Sequence, residues 1–310
     1  MAPQRILVAN PHGFCSGVTR AVAAAEAALA RYPKPVYGLH EIVHNDLVIR
    51  DLTARGLQFV ETLAEVPAGA VVLFSAHGVA PAVREEACRR GVRIMDATCP
   101  FVLKVHREVL RYVSDDCTVI CIGHRQHAEV IGIVGEAPDR VQVVENAEEA
   151  GHVKVADPAR VGVVSQTTLT PELTERVLIV LRSRFPHLRH PSHQDICYAT
   201  RNRQLAVRTL ATRVDRVLIL GSPNSSNSRH LVETARQAGC LAELAGTLPE
   251  IVRLPLDGVQ TLGLASGAST PERFLEDALQ ALAARGFTQV EPLHVVPENN
   301  HAFRLPPLPE

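Results

Sequence analysis

Short apolar runs, polar turns and amphipathic stretches follow one another along almost the whole chain. RILVAN runs into PHGFCSG and then VTRAVAAAEAALARY, whose apolar positions recur with helical period. VVLFS leads through AHGVA into PAVREEACRRG, where Pro81 suits a first helical turn and Gly91 a helix end. TVICIG, VGVVS, VLILG and TLGLAS are each followed by a polar turn and a helical pattern in the same way. Each unit reads as strand, turn, helix, which predicts an α/β fold of mostly parallel sheets. Ligands of such sheets bind beyond the carboxyl ends of the strands, where these turns lie. The clearest joins fall near Asp96–Pro100 and Pro191–Tyr198. They give expected domains at 1–97, 98–194 and 195–286, with 287–310 as a proline-containing extended tail.

Composition narrows the partners. The formal charge is −1, from 32 basic and 33 acidic residues, which gives no basis for general nucleic-acid binding. Tryptophan is absent and aromatics make up 4% of the chain, so no base-stacking surface is expected. No apolar run approaches the roughly 20 residues that span a bilayer. The first residues lack the long apolar region of a signal peptide. A cytoplasmic protein without a membrane partner is expected.

Seven cysteines, an odd number without an export signal, argue against a disulfide scaffold. Cys88, Cys117, Cys121 and Cys240 lie in helical or strand-like surroundings and read as core or incidental thiols. Cys15, Cys99 and Cys197 lie in GFCSGV, ATCPFV and DICYAT, each beside a turn and just before a helical pattern. They are 84 and 98 positions apart, unlike the close pairs of zinc fingers or ferredoxins. Their shared position at helix starts, where the dipole favours a thiolate, singles them out. Three such thiols could hold a four-iron cluster with one iron open, or a zinc ion with one site for water.

Polar candidates cluster at the same strand ends. His77 and His127 follow strongly apolar runs, and His44 lies in EIVHN; all three suit anionic oxygens. SPNSSNS at Ser222–Ser228 has four Ser and two Asn in seven positions, more than a helix cap requires. With SGAST at Ser266–Thr270 it forms a second candidate anion cradle. Neither GxxxxGK[ST] nor GxGxxG occurs, so a small phosphate or diphosphate ester is a better ligand than a nucleotide. Glu129, two residues past His127, is the candidate proton donor, with SQTT (Ser165–Thr168) supplying hydroxyls that orient it.

Together the strings ANPHGFCSGV, EIVHN, FSAHGV, DATCP with KVHREV, GHRQHAEV, SQTT, CYATRNRQ, GSPNSSNS and GAST resemble the LytB-type reductases of 4-hydroxy-3-methylbut-2-enyl diphosphate. The resemblance runs in family order over nearly the whole chain. It implies three similar α/β domains in pseudo-threefold arrangement around a central cleft that holds an iron–sulfur cluster. It also implies a [4Fe–4S] cluster on Cys15, Cys99 and Cys197, with one open iron. It places the diphosphate on His44, His77, Ser225, Ser226, Asn227 and Ser269. His127, Glu129 and Thr167 then surround the substrate hydroxyl, and a ferredoxin or flavodoxin supplies electrons. The implied reaction yields isopentenyl and dimethylallyl diphosphate, the last step of the non-mevalonate isoprenoid pathway. His12, Ser16 and Thr19 depart from the family's commonest first motif, which has Arg, Ala and Asp there. The alternatives are a three-cysteine zinc hydrolase of phosphate esters, which would be colourless, and a non-enzymatic iron–sulfur sensor, which would not turn over a diphosphate.

Overall fold

The computed structural model describes residues 4–190, 195–297 and 302–310. Residues 191–194 of the second expected join and 298–301 of the expected tail lie outside these. In chain order, β1 (Gln4–Asn10) leads to α1 (Ser16–Arg31), β2 (Val36–Leu39), α2 (Asp46–Ala54), β3 (Leu57–Val60), β4 (Val71–Phe74), α3 (Pro81–Arg89) and β5 (Arg93–Asp96). Next come α4 (Pro100–Ser114), β6 (Thr118–Ile122), α5 (Ala128–Gly135), β7 (Val141–Val144), α6 (Ala147–His152), β8 (Val161–Ser165) and α7 (Pro171–Arg184). The last stretch holds α8 (Tyr198–Ala211), β9 (Arg216–Leu220), α9 (Ser226–Gln237) and β10 (Leu241–Ala245). It ends with α10 (Leu248–Val252), β11 (Thr261–Ser266), α11 (Glu272–Ala283) and β12 (Phe287–His294). Proline opens α3, α4 and α7, where its missing N–H costs nothing.

The strands form parallel sheets in the orders β10-β9-β11-β1-β12, β3-β2-β4-β5 and β7-β6-β8. The α/β fold with parallel sheets is thus as expected, but strand membership differs from the expected domains. β1 pairs with β11 and β12, so the first strand belongs with the last sheet and not with 1–97. RILVAN is buried through its middle and needs a neighbour on each side; its apolar run cannot say which strands those are. β12 is a true strand inside the expected tail. Only Phe287 and Leu293 of it are buried, each worth about 1.5–3 kcal/mol. The rest alternates poorly and carries Pro292, which an edge strand tolerates.

Two compact units carry these sheets: Met1–Ser16 with His44–Val48 and Tyr198–His301, and Gly17–Val43 with Ile49–Cys197 and Ala302–Glu310. In the first unit, Ile6 and Val8 face a core completed by Phe274, Leu275 and Leu282 of α11. Leu7 and Ala9 face the opposite core, built with Ala206, Leu210 and Leu231 of α8 and α9. Helices on both faces explain why the strands read as continuous apolar runs. In the second unit, β6 is covered in the same way: Val119 and Cys121 meet α4 and α5, while Ile120 and Ile122 meet α7. Residues 302–310 are extended without helix or strand. In the second unit they are tied by an Arg20 Nε bond to the Arg304 carbonyl (2.8 Å) and by the Phe303 ring, 5.9 Å from that of Phe101.

Candidate active site

In the first unit, polar side chains gather where β9 and β11 end. Ser225 is the N-cap of α9, its Oγ accepting from the Ser228 N–H at 3.3 Å. Ser228 is wedged so closely that a Cβ on Gly221 or Gly267 would meet its Oγ at 2.3 or 2.1 Å, so both positions demand glycine. Ser222 Oγ accepts from the Asp46 N–H (3.0 Å), and Ser269 Oγ donates to the His44 carbonyl (2.9 Å). These two bonds fasten the short segment carrying His44 to the unit that holds the serines. His44, expected in domain 1–97, therefore stands with the last sheet. Ser225, Ser226, Asn227 and Ser269 are all buried. Both polar atoms of the Asn227 amide are buried, and among the described residues neither finds a hydrogen-bond partner. Leaving such atoms unmet costs about 1–3 kcal/mol, which a protein sustains where a ligand will meet them. The first turn of α9 holds no acidic residue, so its N–H groups and dipole favour an anion.

In the second unit, β6 and β8 end beside a buried carboxyl. Glu129, in the first turn of α5, accepts the Thr167 N–H on Oε1 (2.7 Å) and the Thr167 hydroxyl on Oε2 (2.9 Å). Burial pushes this carboxyl up from its ordinary 4.5 to about 7; the two Thr167 bonds oppose the rise and the Asp195 charge adds to it. His127 caps α5, its Nδ1 accepting the Glu129 N–H at 3.2 Å. Since a backbone N–H can only donate, Nδ1 is bare and the neutral ring carries its proton on Nε2. The His77 ring meets His127 edge-on, with centroids 5.6 Å apart.

The raised carboxyl has a stability consequence. Below pH 4.5 Glu129 is protonated in both folded and unfolded chains. Between 4.5 and about 7 the unfolded chain sheds the proton while the folded one keeps it, so stability falls as pH rises. The full cost, on the order of 3 kcal/mol, is present above pH 7. Glu129→Gln has no such cost. Its melting temperature should match the parent's near pH 4.5 and exceed it at pH 8; an equal difference at both pH values would mean that the carboxyl is not raised.

None of the seven cysteines forms a disulfide. Cys117, Cys121 and Cys240 are buried and pack in the cores, and Cys88 is exposed; burial pushes the Cys121 and Cys240 thiols up. Cys15, Cys99 and Cys197 are half-buried, and each immediately precedes a helix whose first turn lacks Asp and Glu. Their backbones are held alike. Cys15 N–H donates to the Ala268 carbonyl (3.0 Å), Cys99 N–H to Ala76 (3.0 Å) and Cys197 N–H to Thr167 (3.1 Å). Each acceptor lies two residues past a strand, β11, β4 or β8. Each of these loops also bears a candidate polar residue: Ser269, His77 or Thr167 itself. Cys15 stands on the first unit, Cys99 and Cys197 on the second. Among the described residues, no three His, Cys, Asp or Glu side chains stand close enough to grip one metal ion.

Several supporting residues escape sequence reading. Asp195, two residues before Cys197, is buried and accepts the Ser165 N–H at 2.9 Å, with Lys104 Nζ 3.6 Å from its other oxygen. His106 in KVHREV is buried with Nδ1 2.6 Å from Glu136 Oε1. Its ring lies against Gly78, the residue after His77. For His106 the available signal was an imidazole on the otherwise apolar buried face of α4. The departures in the first motif also have places. His12 bonds the Ala9 carbonyl (3.0 Å) and Glu272 (3.3 Å), Ser16 bonds Tyr198 (2.8 Å), and Thr19 is exposed.

The fold and these two groups of side chains define an α/β enzyme for a small anionic substrate. No helix among the described residues is long and apolar enough to cross a membrane. The chain belongs to the LytB protein family, whose model matches residues 6–283. It is 49% identical to a 4-hydroxy-3-methylbut-2-enyl diphosphate reductase of Streptomyces coelicolor, over 98% of this chain and 90% of that one. The same comparison with the reductase of Mycolicibacterium gilvum gives 47% identity, over 98% and 92% of the two chains. A solved structure of the E-1-hydroxy-2-methyl-but-2-enyl-4-diphosphate reductase from Plasmodium falciparum superposes with a TM-score of 0.94 at 34% identity, covering 98% of this chain and 96% of that one. These relatives are reductases, neither hydrolases nor sensors. Family membership implies an iron–sulfur cluster, and half-buried thiols at helix starts free of acidic side chains fit such a group.

Proposed function

We propose that this chain removes the hydroxyl of (E)-4-hydroxy-3-methylbut-2-enyl diphosphate reductively, giving isopentenyl and dimethylallyl diphosphate at the end of the non-mevalonate pathway. Two electrons and two protons enter, the allylic C–O bond breaks with a C–H bond formed on the allyl unit, and the hydroxyl oxygen leaves as water. The observation that carries this reading is the buried Glu129 carboxyl, gripped by Thr167 and balanced between its two protonation states near neutral pH. When bound, a [4Fe–4S] cluster on Cys15, Cys99 and Cys197 supplies the electrons and, at an iron without a protein thiol, a Lewis acid. A cytoplasmic ferredoxin or flavodoxin is the proposed source of those electrons.

The chain's own residues bind, orient and protonate. Ser225, Ser226, Asn227 and Ser269, with the His44 and His77 imidazoles, take the diphosphate, satisfying the buried Asn227 amide. Holding that end fixes where the allylic hydroxyl falls. Protonated Glu129 passes its proton through the Thr167 hydroxyl, which accepts on one side as it donates on the other. The His127 Nε2–H orients the substrate hydroxyl that receives this proton. Burial keeps Glu129 from surrendering its proton to water first. Asn227→Ala should weaken pyrophosphate binding roughly tenfold and leave the ligand-free protein at least as stable; parental affinity by calorimetry would remove Asn227 from the cradle.

The activity is tested by anaerobic oxidation of reduced methyl viologen with iron-reconstituted protein. Oxidation that depends on 4-hydroxy-3-methylbut-2-enyl diphosphate is expected. None, from protein with a full complement of iron and sulfide, would overturn the reading.

A further inference from the structure

Arg203 is the largest side chain buried below 2% exposure among the described residues, and the reaction outlined above does not use it. A guanidinium taken out of water is costly unless its donors are met, so its partners show what the burial serves. Arg203 lies in α8, the helix that starts one residue after Cys197. One arm, Nη1, turns back to the Ala199 carbonyl of its own helix at 3.3 Å. The other, Nη2, donates to the Gly13 carbonyl at 2.8 Å and reaches the His12 carbonyl at 3.4 Å. The planar fork thus spans from α8 to the loop that carries Cys15.

That loop is held at every turn. Gly13 has φ +71°, and a Cβ there would meet Glu272 Oε2 at 3.0 Å. Its N–H donates to Ser266 Oγ (2.8 Å) while its carbonyl takes Arg203. Two residues on, the Cys15 N–H is bound by Ala268. The next residue, Ser16, shares a 2.8 Å hydrogen bond with the Tyr198 hydroxyl, the first residue of α8. The chain on both sides of Cys15 is therefore fastened to one helix, by Arg203 before the thiol and by Tyr198 after it.

We propose that Arg203 and the Ser16–Tyr198 pair are positioning residues for Cys15, which lock its loop to α8 so that the thiol stands ready before iron and sulfide arrive. This rests on the reading of Cys15 as a cluster ligand. Arg suits 203 because its planar fork sends one arm to the Ala199 carbonyl and the other to the Gly13 carbonyl, a fixed geometry that a lysine's point-like ammonium does not reproduce. The hydroxyl pair acts as one unit, so losing either partner equals losing both.

The test compares iron release to a chelator from anaerobically reconstituted parent, Arg203→Lys, Ser16→Ala, Tyr198→Phe, the Ser16→Ala/Tyr198→Phe double variant and Cys15→Ser, with the melting temperature of each apoprotein. Release roughly fivefold faster than the parent's is expected for Ser16→Ala, for Tyr198→Phe and for the double variant alike, in apoproteins that still melt cooperatively within a few degrees of the parent. Arg203→Lys should release faster still. If Cys15→Ser loses iron while Ser16→Ala and Arg203→Lys release it at the parental rate, the positioning role is overturned. If Cys15→Ser holds iron as the parent does, the ligand reading fails instead, and the positioning role with it. Should Arg203→Lys not fold, Ser16→Ala decides alone.

Discussion

Glu129→Gln should lower substrate-dependent turnover by roughly 10²- to 10⁴-fold, the usual contribution of a general acid, while iron content and substrate affinity stay parental. Gln has the same shape. Its carbonyl can still accept the Thr167 N–H, and its amide can donate to the Thr167 hydroxyl, so the hydrogen bonds at 2.7 and 2.9 Å have counterparts. What it lacks is the proton. The effect should therefore fall on kcat and not on KM. The parent's own rate should decline above about pH 7, as the carboxyl loses its proton, and this limb should be missing from the residual activity of the variant. Turnover by Glu129→Gln at the parental rate would take Glu129 off the proton path.

Cys197→Ser should give the second large effect. After anaerobic reconstitution it should hold well under the parental iron and sulfide and lose the visible absorbance of the cluster, because a serine hydroxyl is a harder and far weaker acid than a thiol. Folding should survive, since Cys197 is half-buried and its backbone N–H bond to Thr167 does not depend on sulfur. Cys88→Ser, an exposed thiol, should keep all its iron. Iron analysis beside far-ultraviolet circular dichroism separates loss of metal from loss of fold. An unchanged cluster in Cys197→Ser would refute the ligand assignment.

The strands, the helix starts and the site candidates were legible because each has a local cause. An apolar run closed by a polar turn marks a strand end whatever sheet the strand joins, so RILVAN could be read as a strand. Its partners could not, because parallel pairing with β11 and β12 joins residues more than 250 positions apart. β12 stayed hidden because an edge strand buries little, and here only its two ends are apolar and covered. The three chosen cysteines were separable from the other four by the turns beside them. Arg203 and Asp195 were not, because burial of a charge follows from distant packing and leaves no mark in the neighbouring sequence. Their roles come from hydrogen bonds to Gly13 and Ser165 that only the folded chain displays.

The loops after β4, β8 and β11 each grip a cysteine backbone and bear His77, Thr167 or Ser269. On the proposed assignment of Cys15, Cys99 and Cys197 to the cluster and of His77, Thr167 and Ser269 to the substrate, retention of metal and choice of substrate are not independent dials. A substitution at Ala76, Thr167 or Ala268 chosen to admit a bulkier alcohol would also move the amide anchor of a thiol, and the altered enzyme would be expected to age faster in air than its parent. Variants with new substrate range are better sought at positions that bear no such double duty, and shelf life is a cheap early screen for those that do.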